Sequence, residues 1–354
     1  MKLEKRILVV LTLLLTTVGL TAQEEPVFEE QVDVNVVLVD VTVTDDRGNQ
    51  ILGLRKDDFV ILEDGQEQEI TSIDYFTNRR LLTGPETQAA FQVERIKEER
   101  YFVLFFHKID DSTTMPGLRQ QLLRAKKAAE EFVDNEMLPE DRVAVTGYDA
   151  RLKIFTDFTT DKSEVRAALD QVIRFSNGEL EASNEEGEAS ILANLNSTRI
   201  MKKTGRLETA LETLAEGLEP IEARKVLVFF SPGVIDDDFG SSRIQKYDEH
   251  RFKAVVQGFN EANVSVYSLN LLQDVFYSDT EDFLARLADE TGGEYYRAAV
   301  TYQTPLQLIE NQNNGYYMLS YYSRKQKEEH GYQEIDVTLK NPQFQIKSRE
   351  GYKY

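Results

Sequence analysis

The 354-residue chain contains no cysteine. Thiol nucleophiles, iron–sulfur clusters, cysteine zinc sites and disulfides are all excluded, so stability must come from ordinary cores. Histidine is scarce too, limited to His107, His250 and His330. A hydroxyl nucleophile needs a base such as imidazole within hydrogen-bond reach. His250 falls in a charged helical pattern and His330 in a charged turn, so both read as solvated. Glycine-rich phosphate loops, H-E-x-x-H, EF-hand loops and the G-x-S-x-G elbow are absent. The stretches "LEDGQEQE" and "DDRGN" place acids around glycine, but they fit hairpin turns better than calcium loops.

A membrane-crossing run is missing as well. The apolar stretch Ile7–Leu20 has 14 residues, against about 20 for a bilayer crossing. With basic "MKLEKR" before it and Ala22 at a cleavage point, residues 1–22 read as a signal peptide. The expected location is therefore secreted or periplasmic, with no transmembrane segment after cleavage. No cysteine follows the run, which excludes a bacterial lipoprotein anchor. Positive charge is in deficit: 41 Lys and Arg face 62 Asp and Glu, a formal net of −21. The leader carries Lys2, Lys5 and Arg6 against Glu4, so the remainder stands at −23. Such a surface repels nucleic acid and anionic lipid and favours cationic ligands or divalent ions.

What is present is enough apolar sequence, 41%, for folded cores. From Val32 the pattern has period two, with Val32, Val34, Val36 and Leu38 on one face and Val37 and Val39 on the other. Turns at Gly48 and Asp64-Gly65 then make residues 27–77 a small all-β domain. Residues 78–98 are polar and read as a linker. Over 99–312 the texture changes. "YFVLFF", "RVAVTGY", "KVLVFF" and "VSVYSL" are unbroken apolar strands, as burial on both faces requires. Between them lie helical patterns, the clearest with Leu118, Leu122, Ala125, Ala129 and Phe132 on one stripe. Another helix is expected to start at Ser163, and paired glycines close the pattern "DTEDFLARLADETGG". This alternation predicts an α/β fold with a doubly wound parallel sheet. Residues 176–204 read as an acidic surface insertion.

Residues 315–354 return to strands. The two β-rich ends either pair into one β-sandwich with the middle inserted, or pack separately on the α/β domain. Pairing is the favoured reading, because chain ends often lie close together. Tyr316, Tyr317, Tyr321 and Tyr322 alternate as sandwich core residues do, although the same density could mark an interface.

The segment order resembles the von Willebrand factor type A fold, specifically bacterial secreted proteins related to it. The resemblance rests on "VLVDVTVTDDRGNQILGLRKDDFVILEDG", "YFVLFFHKIDDSTTMPGLRQQLLRAKKAAEEFV", "EDRVAVTGYDARLKIFTDFTTDKSEVRAALDQV", "KVLVFFSPGVIDDD" and the tail. It covers nearly all of the chain after the leader. It implies a metal-ion-dependent adhesion site at the sheet's crest, built from a D-x-S-x-S loop, a Thr from a second loop and an Asp from a third. Magnesium takes hard oxygen ligands in octahedral geometry. Hydroxyl ligands leave it under-neutralised, free to accept a partner's carboxylate.

Carried onto this chain, the first loop matches Asp110, Ser112 and Thr114 if the strand runs through His107 and Lys108. If the strand stops at Phe106, then His107, Ile109 and Asp111 take those places and Ile109 cannot coordinate. For the second loop Gly205 falls where the Thr is expected, with Thr204 one step off. For the third loop, Ser231-Pro232-Gly233 replaces Asp-Gly. Asp236, Asp237 and Asp238 follow, either as substitutes or as a solvated loop. The resemblance thus implies a degenerate site, with Mg²⁺ or Mn²⁺ as the ion where one is held by Asp110, Ser112, Thr114, Thr204 and Asp236. His107, Asp111, Asp237 and Asp238 are further ligand-binding candidates.

The expected function is an exported, non-enzymatic adhesion or assembly module that takes a protein ligand at these crest loops. A structural envelope component binding through its β-rich ends is the alternative. A hydrolase using His107 and Ser112 is a weaker one.

Overall fold

Four unbroken apolar runs need burial on both faces, and the computed structural model gives them that environment at the centre of a six-stranded sheet. The described residues are 35–77, 99–109, 117–174, 189–195, 206–234, 247–272, 278–297, 301–323 and 331–353. The sheet comprises β5 (Tyr101–His107), β6 (Arg142–Tyr148), β7 (Leu152–Thr159), β8 (Lys225–Ser231), β9 (Val264–Asn270) and β10 (Tyr295–Tyr296), in the order β10-β9-β8-β5-β6-β7. Every neighbouring pair is parallel except β6–β7, a hairpin that turns through Ala150 at φ 78°.

Strand alternation sends successive side chains to opposite layers. Phe102, Leu104 and Phe106 pack against α1 (Leu118–Asn135), α2 (Lys162–Arg174) and a later helix, Gln303–Gln312. Tyr101, Val103 and Phe105 pack against α3 (Ile191–Asn194), α4 (Leu207–Leu218), α5 (Glu249–Glu261) and α6 (Ser278–Glu290). The helix Gln303–Gln312 is α7. The α1 stripe Leu118, Leu122, Ala125, Ala129 and Phe132 is entirely buried. Each fully buried Leu or Phe contributes roughly 1.5–3 kcal/mol relative to exposure.

Two local features differ from the sequence expectation. Helix α2 is capped by Asp161 rather than Ser163: its Oδ1 accepts from both the backbone N and the Oγ of Ser163, at 2.7 and 2.6 Å. An aspartate just ahead of the helix satisfies orphan N–H groups that a serine inside it cannot reach. The acidic stretch is also anchored at its middle. Asp157 accepts from Ser190 Oγ (2.7 Å), Ile191 N (2.9 Å) and Leu192 N (3.0 Å). Ile191 and Leu195 are thereby set into the core against Gly217, where an added Cβ would lie 2.9 Å from Leu195.

The two ends of the chain form a pair of four-stranded sheets around one shared core. One sheet has the order β13-β1-β11-β4 and the other β14-β12-β2-β3. From the first end come β1 (Asn35–Thr44), β2 (Phe59–Glu63), β3 (Gln66–Gln68) and β4 (Ile70–Thr77). From the second come β11 (Gly315–Ser323), β12 (Tyr332–Leu339), β13 (Gln345–Ser348) and β14 (Gly351–Lys353). Val37, Val39, Val41 and Val43 meet Phe59, Ile61, Tyr317, Leu319, Tyr321, Ile335 and Val337 inside. Tyr322 faces out instead, at 52% exposure, beside Val36 and Leu38.

Asn35–Tyr354 is one compact unit, and a polar seam joins the sandwich to the α/β layer. Arg100 donates to both oxygens of buried Asp141 at 2.7 and 2.6 Å and to Asn314 Oδ1 at 2.8 Å. Arg349 donates to Leu38 O and Asn260 O.

Candidate functional site

In an open parallel sheet, ligand loops leave from the carboxyl ends of the strands. Here β5 and β8 lie side by side in register, Phe106 opposite Phe230, and end together at His107 and Ser231. The ladder runs one bond further on the other side of β5, where Lys108 N donates to Tyr148 O at 2.8 Å. Ile109 then turns inward and is buried against Leu118 and Leu122.

The two strand ends are joined side chain to side chain. His107 Nδ1 lies 2.8 Å from Ser231 Oγ, and Gly233 N donates to the same oxygen at 3.0 Å. Both side chains are buried, and the Tyr148 ring stands edge-on to the imidazole at 5.3 Å. A buried hydroxyl proton needs an acceptor, and Nδ1 fills that role among the described residues. Ser231 therefore donates to a neutral imidazole whose proton sits on Nε2. Burial holds the imidazole pKa far below its ordinary value, at about 3. Pro232 and Gly233, the latter at φ 92°, turn the chain away immediately afterwards. Next along the crest, Asn270 ends β9, accepting from Leu272 N at 2.7 Å and donating to Tyr295 Oη at 3.0 Å.

As chemistry, this pair is a staple. A base with so low a pKa draws a proton poorly, the serine oxygen is committed to Gly233, and both groups are shut off from solvent. Sequence reasoning singled out His107 but matched it with Ser112. Ser231 was noticed only as a departure from Asp-Gly. The usable signal was a polar residue ending each of two adjacent apolar strands.

Asp110, Asp111, Ser112, Thr114, Thr204, Asp236, Asp237 and Asp238 all lie outside the described residues, as does His330. Of the predicted site residues the structure places His107. Among the described residues no group of three or more His, Asp or Glu side chains could hold a metal ion. A neutral, mutually bonded His–Ser pair does not fit a hard divalent cation either, since it offers no charge to offset dehydration. The strand ends by themselves thus make no metal centre.

Residues 108–234, which open at the end of β5 and close just past β8, match the family described as the von Willebrand factor type A domain. These residues form a von Willebrand factor type A-like domain. The match takes in α1, β6, β7, α2, α3, α4 and β8, and so both sides of the crest between β5 and β8. Similar solved structures include BatB from Bacteroides thetaiotaomicron, at 14% identity over 60% of this chain and 96% of that one, TM-score 0.38. The vWF domain of the type V pili tip protein Mfa5 from Porphyromonas gingivalis has 10% identity, covers 61% and 96%, and scores 0.39. Manganese-loaded TRAP protein from Plasmodium vivax has 9% identity, covers 73% and 95%, and scores 0.40. No curated protein sequence matches the chain. No described helix is long and apolar enough to cross a membrane.

Proposed function

We propose that this chain is an exported, non-enzymatic binding module whose von Willebrand factor A crest takes a protein ligand. Domains of this type act in adhesion and protein interaction. The observation that carries the reading is the stapled crest: two central strands end together on a buried, neutral His107–Ser231 pair. That gives the loops leaving Ile109, Val234 and Leu272 a rigid base with no catalytic base in it. Binding loops on a rigid scaffold lose less entropy on docking.

The test is site-specific photo-crosslinking in the cells that make the protein. A photoreactive residue at Gln120, at the crest end of α1, should give a discrete protein adduct. The same residue at Glu67, on edge strand β3, should not. Adducts from Glu67 alone would move the function to the β-rich ends. That second reading has support of its own in the exposed Val36, Leu38 and Tyr322, which form an apolar patch on the outer face of the sandwich.

Metal assistance by Asp110, Ser112, Thr114, Thr204 and Asp236 belongs to the same proposal. Calorimetric titration of Mg²⁺ and Mn²⁺ into chelator-treated protein should show saturable binding that Asp110→Ala removes. Heat signals identical in both chains, or none in either, would confine the crest to metal-independent contacts.

A further inference from the structure

Between the sandwich and helix α5 lies a cleft of about 440 Å³. One wall is β12, carrying Glu334 and Asp336; the other is α5 with Lys253 and the end of α6 with Glu290. Glu350, just before β14, completes a lining of four carboxylates and one lysine. Asp289 adds its charge from behind Glu290, and Asp64 stands at the β2–β3 turn, its Oδ1 accepting from Glu334 N at 3.0 Å. The cations around the cleft are committed elsewhere. Arg286 pairs with Glu290 at 2.8 Å, Lys353 with Glu261 at 3.5 Å, and Arg349 donates to the carbonyls of Asn260 and Leu38. Among the described residues no ion pair reaches Glu334, Asp336 or Glu350. The Glu350 carboxyl is pushed up to about 7, first by burial and then by Glu290, Asp289, Glu334 and Asp336. No described cluster of three acids could share a metal ion, so protons and diffuse salt are what relieve this repulsion.

The cleft is pinned at one end. In the last turn of α5, Asn260 Nδ2 donates to Tyr332 Oη at 2.7 Å, and Arg349 donates to Asn260 O at 3.2 Å. Beside them Gly292 packs on the Ser348 backbone so closely that a Cβ would lie 2.6 Å from it. Two turns back along α5 and four residues further along β12, no described hydrogen bond joins Lys253 or Asp336 to the opposite wall. We propose that the cleft is a proton-operated hinge, pinned at Asn260, whose free end is held apart by its charged carboxylates and closes when they are protonated. Like charges facing one another across a partly desolvated space repel, and each proton taken up removes one of them. The value at Glu350 sets the range: the hinge is closed near pH 5 and opens as pH rises through 7. Closing changes how the α/β layer, and with it the crest, sits on the sandwich.

The absence of cysteine makes the movement directly measurable. Ala254→Cys on α5 and Thr338→Cys on β12 place one spin label on each wall at the free end. Pulsed dipolar spectroscopy should give a mean separation longer at pH 8 than at pH 5 by about 2 Å or more, the scale of a hinge rearrangement. At pH 8, 0.5 M NaCl should recover part of the closure, because screening stands in for protonation. Adding Glu334→Gln and Asp336→Asn, both at exposed positions, should shorten the pH 8 distance toward its pH 5 value. Labels at Glu67→Cys and Thr338→Cys, both within the sandwich, should keep one distance throughout. Equal separations at pH 5 and 8, or a pH 8 lengthening that survives both neutral substitutions undiminished, would overturn the proposal. Lengthening within the sandwich pair would overturn it too, since the movement would then lie inside the β-strands.

Discussion

Replacing His107 with glutamine should flatten the acid limb of the chain's stability curve. The imidazole is fully buried, and its pKa in the folded chain lies near 3, against 6.5 when exposed. Between those values the unfolded chain takes up a proton that the folded chain refuses. Unfolding then consumes a proton, so native stability falls as pH falls. Well above 6.5 the ring is neutral in both states and adds no pH dependence. The slope within the window approaches about 1.4 kcal/mol per pH unit, and the change accumulates to roughly 2.3 kcal/mol between pH 6.5 and 4.5. Glutamine can still bond Ser231 Oγ but cannot titrate. Its loss of contact with Tyr148 costs the same at every pH, and all other ionisable groups are shared by the two chains. Urea denaturation of both at pH 7.5, 6.5, 5.5 and 4.5 isolates the effect as a difference. That difference should stay constant from 7.5 to about 6.5 and then shift in the variant's favour. A constant offset down to pH 4.5 would mean that the imidazole is protonated at little cost, and that the crest is open to water.

Gly293→Ala should destabilise the fold by about 3 kcal/mol or more. Its Cβ would sit 1.9 Å from the backbone oxygen of Val266, which cannot move without breaking β9; thermal melting reads this directly. Asp141→Asn takes one carboxylate from the buried Arg100 guanidinium, which keeps Glu310 at 3.5 Å, and should cost about 1.5–3 kcal/mol in a denaturant titration. Glu350 is pushed up to about 7, first by burial and then by Glu290, Asp289, Glu334 and Asp336. A carboxyl whose folded pKa is raised favours the fold at low pH and loses that contribution as pH rises toward 7. Glu350→Gln should accordingly raise the melting temperature more at pH 8 than at pH 5.

The elements were legible where burial dictates composition. "YFVLFF" and "KVLVFF" could only be strands covered on both faces, and the stripe from Leu118 to Phe132 could only be one face of a helix. Residues whose role depends on a distant partner were not. His107 and Ser231 are 124 positions apart, and no local pattern announces that they meet. Asp157 reads as one more strand acid, yet it caps a turn more than thirty residues later and so sets Ile191 into the core of a stretch that looks merely acidic. Asp161 and Ser163 illustrate a smaller limit, since both are good capping residues and only backbone geometry chooses between them. The tyrosines of β11 divide likewise: Tyr317 and Tyr321 go into the core, while Tyr322, with the same residue type, faces solvent.

The chain leaves the sandwich and re-enters it at a single place. Thr77, where the chain leaves it, and Gly315, where the chain returns, are paired neighbours on β4 and β11. Everything between them, the crest included, is a single excursion that begins and ends at one point, clasped there by Arg100 and Asn314. A pull on the crest therefore enters the sandwich at two adjacent strands and along their length, so several ladder bonds must yield together rather than one after another.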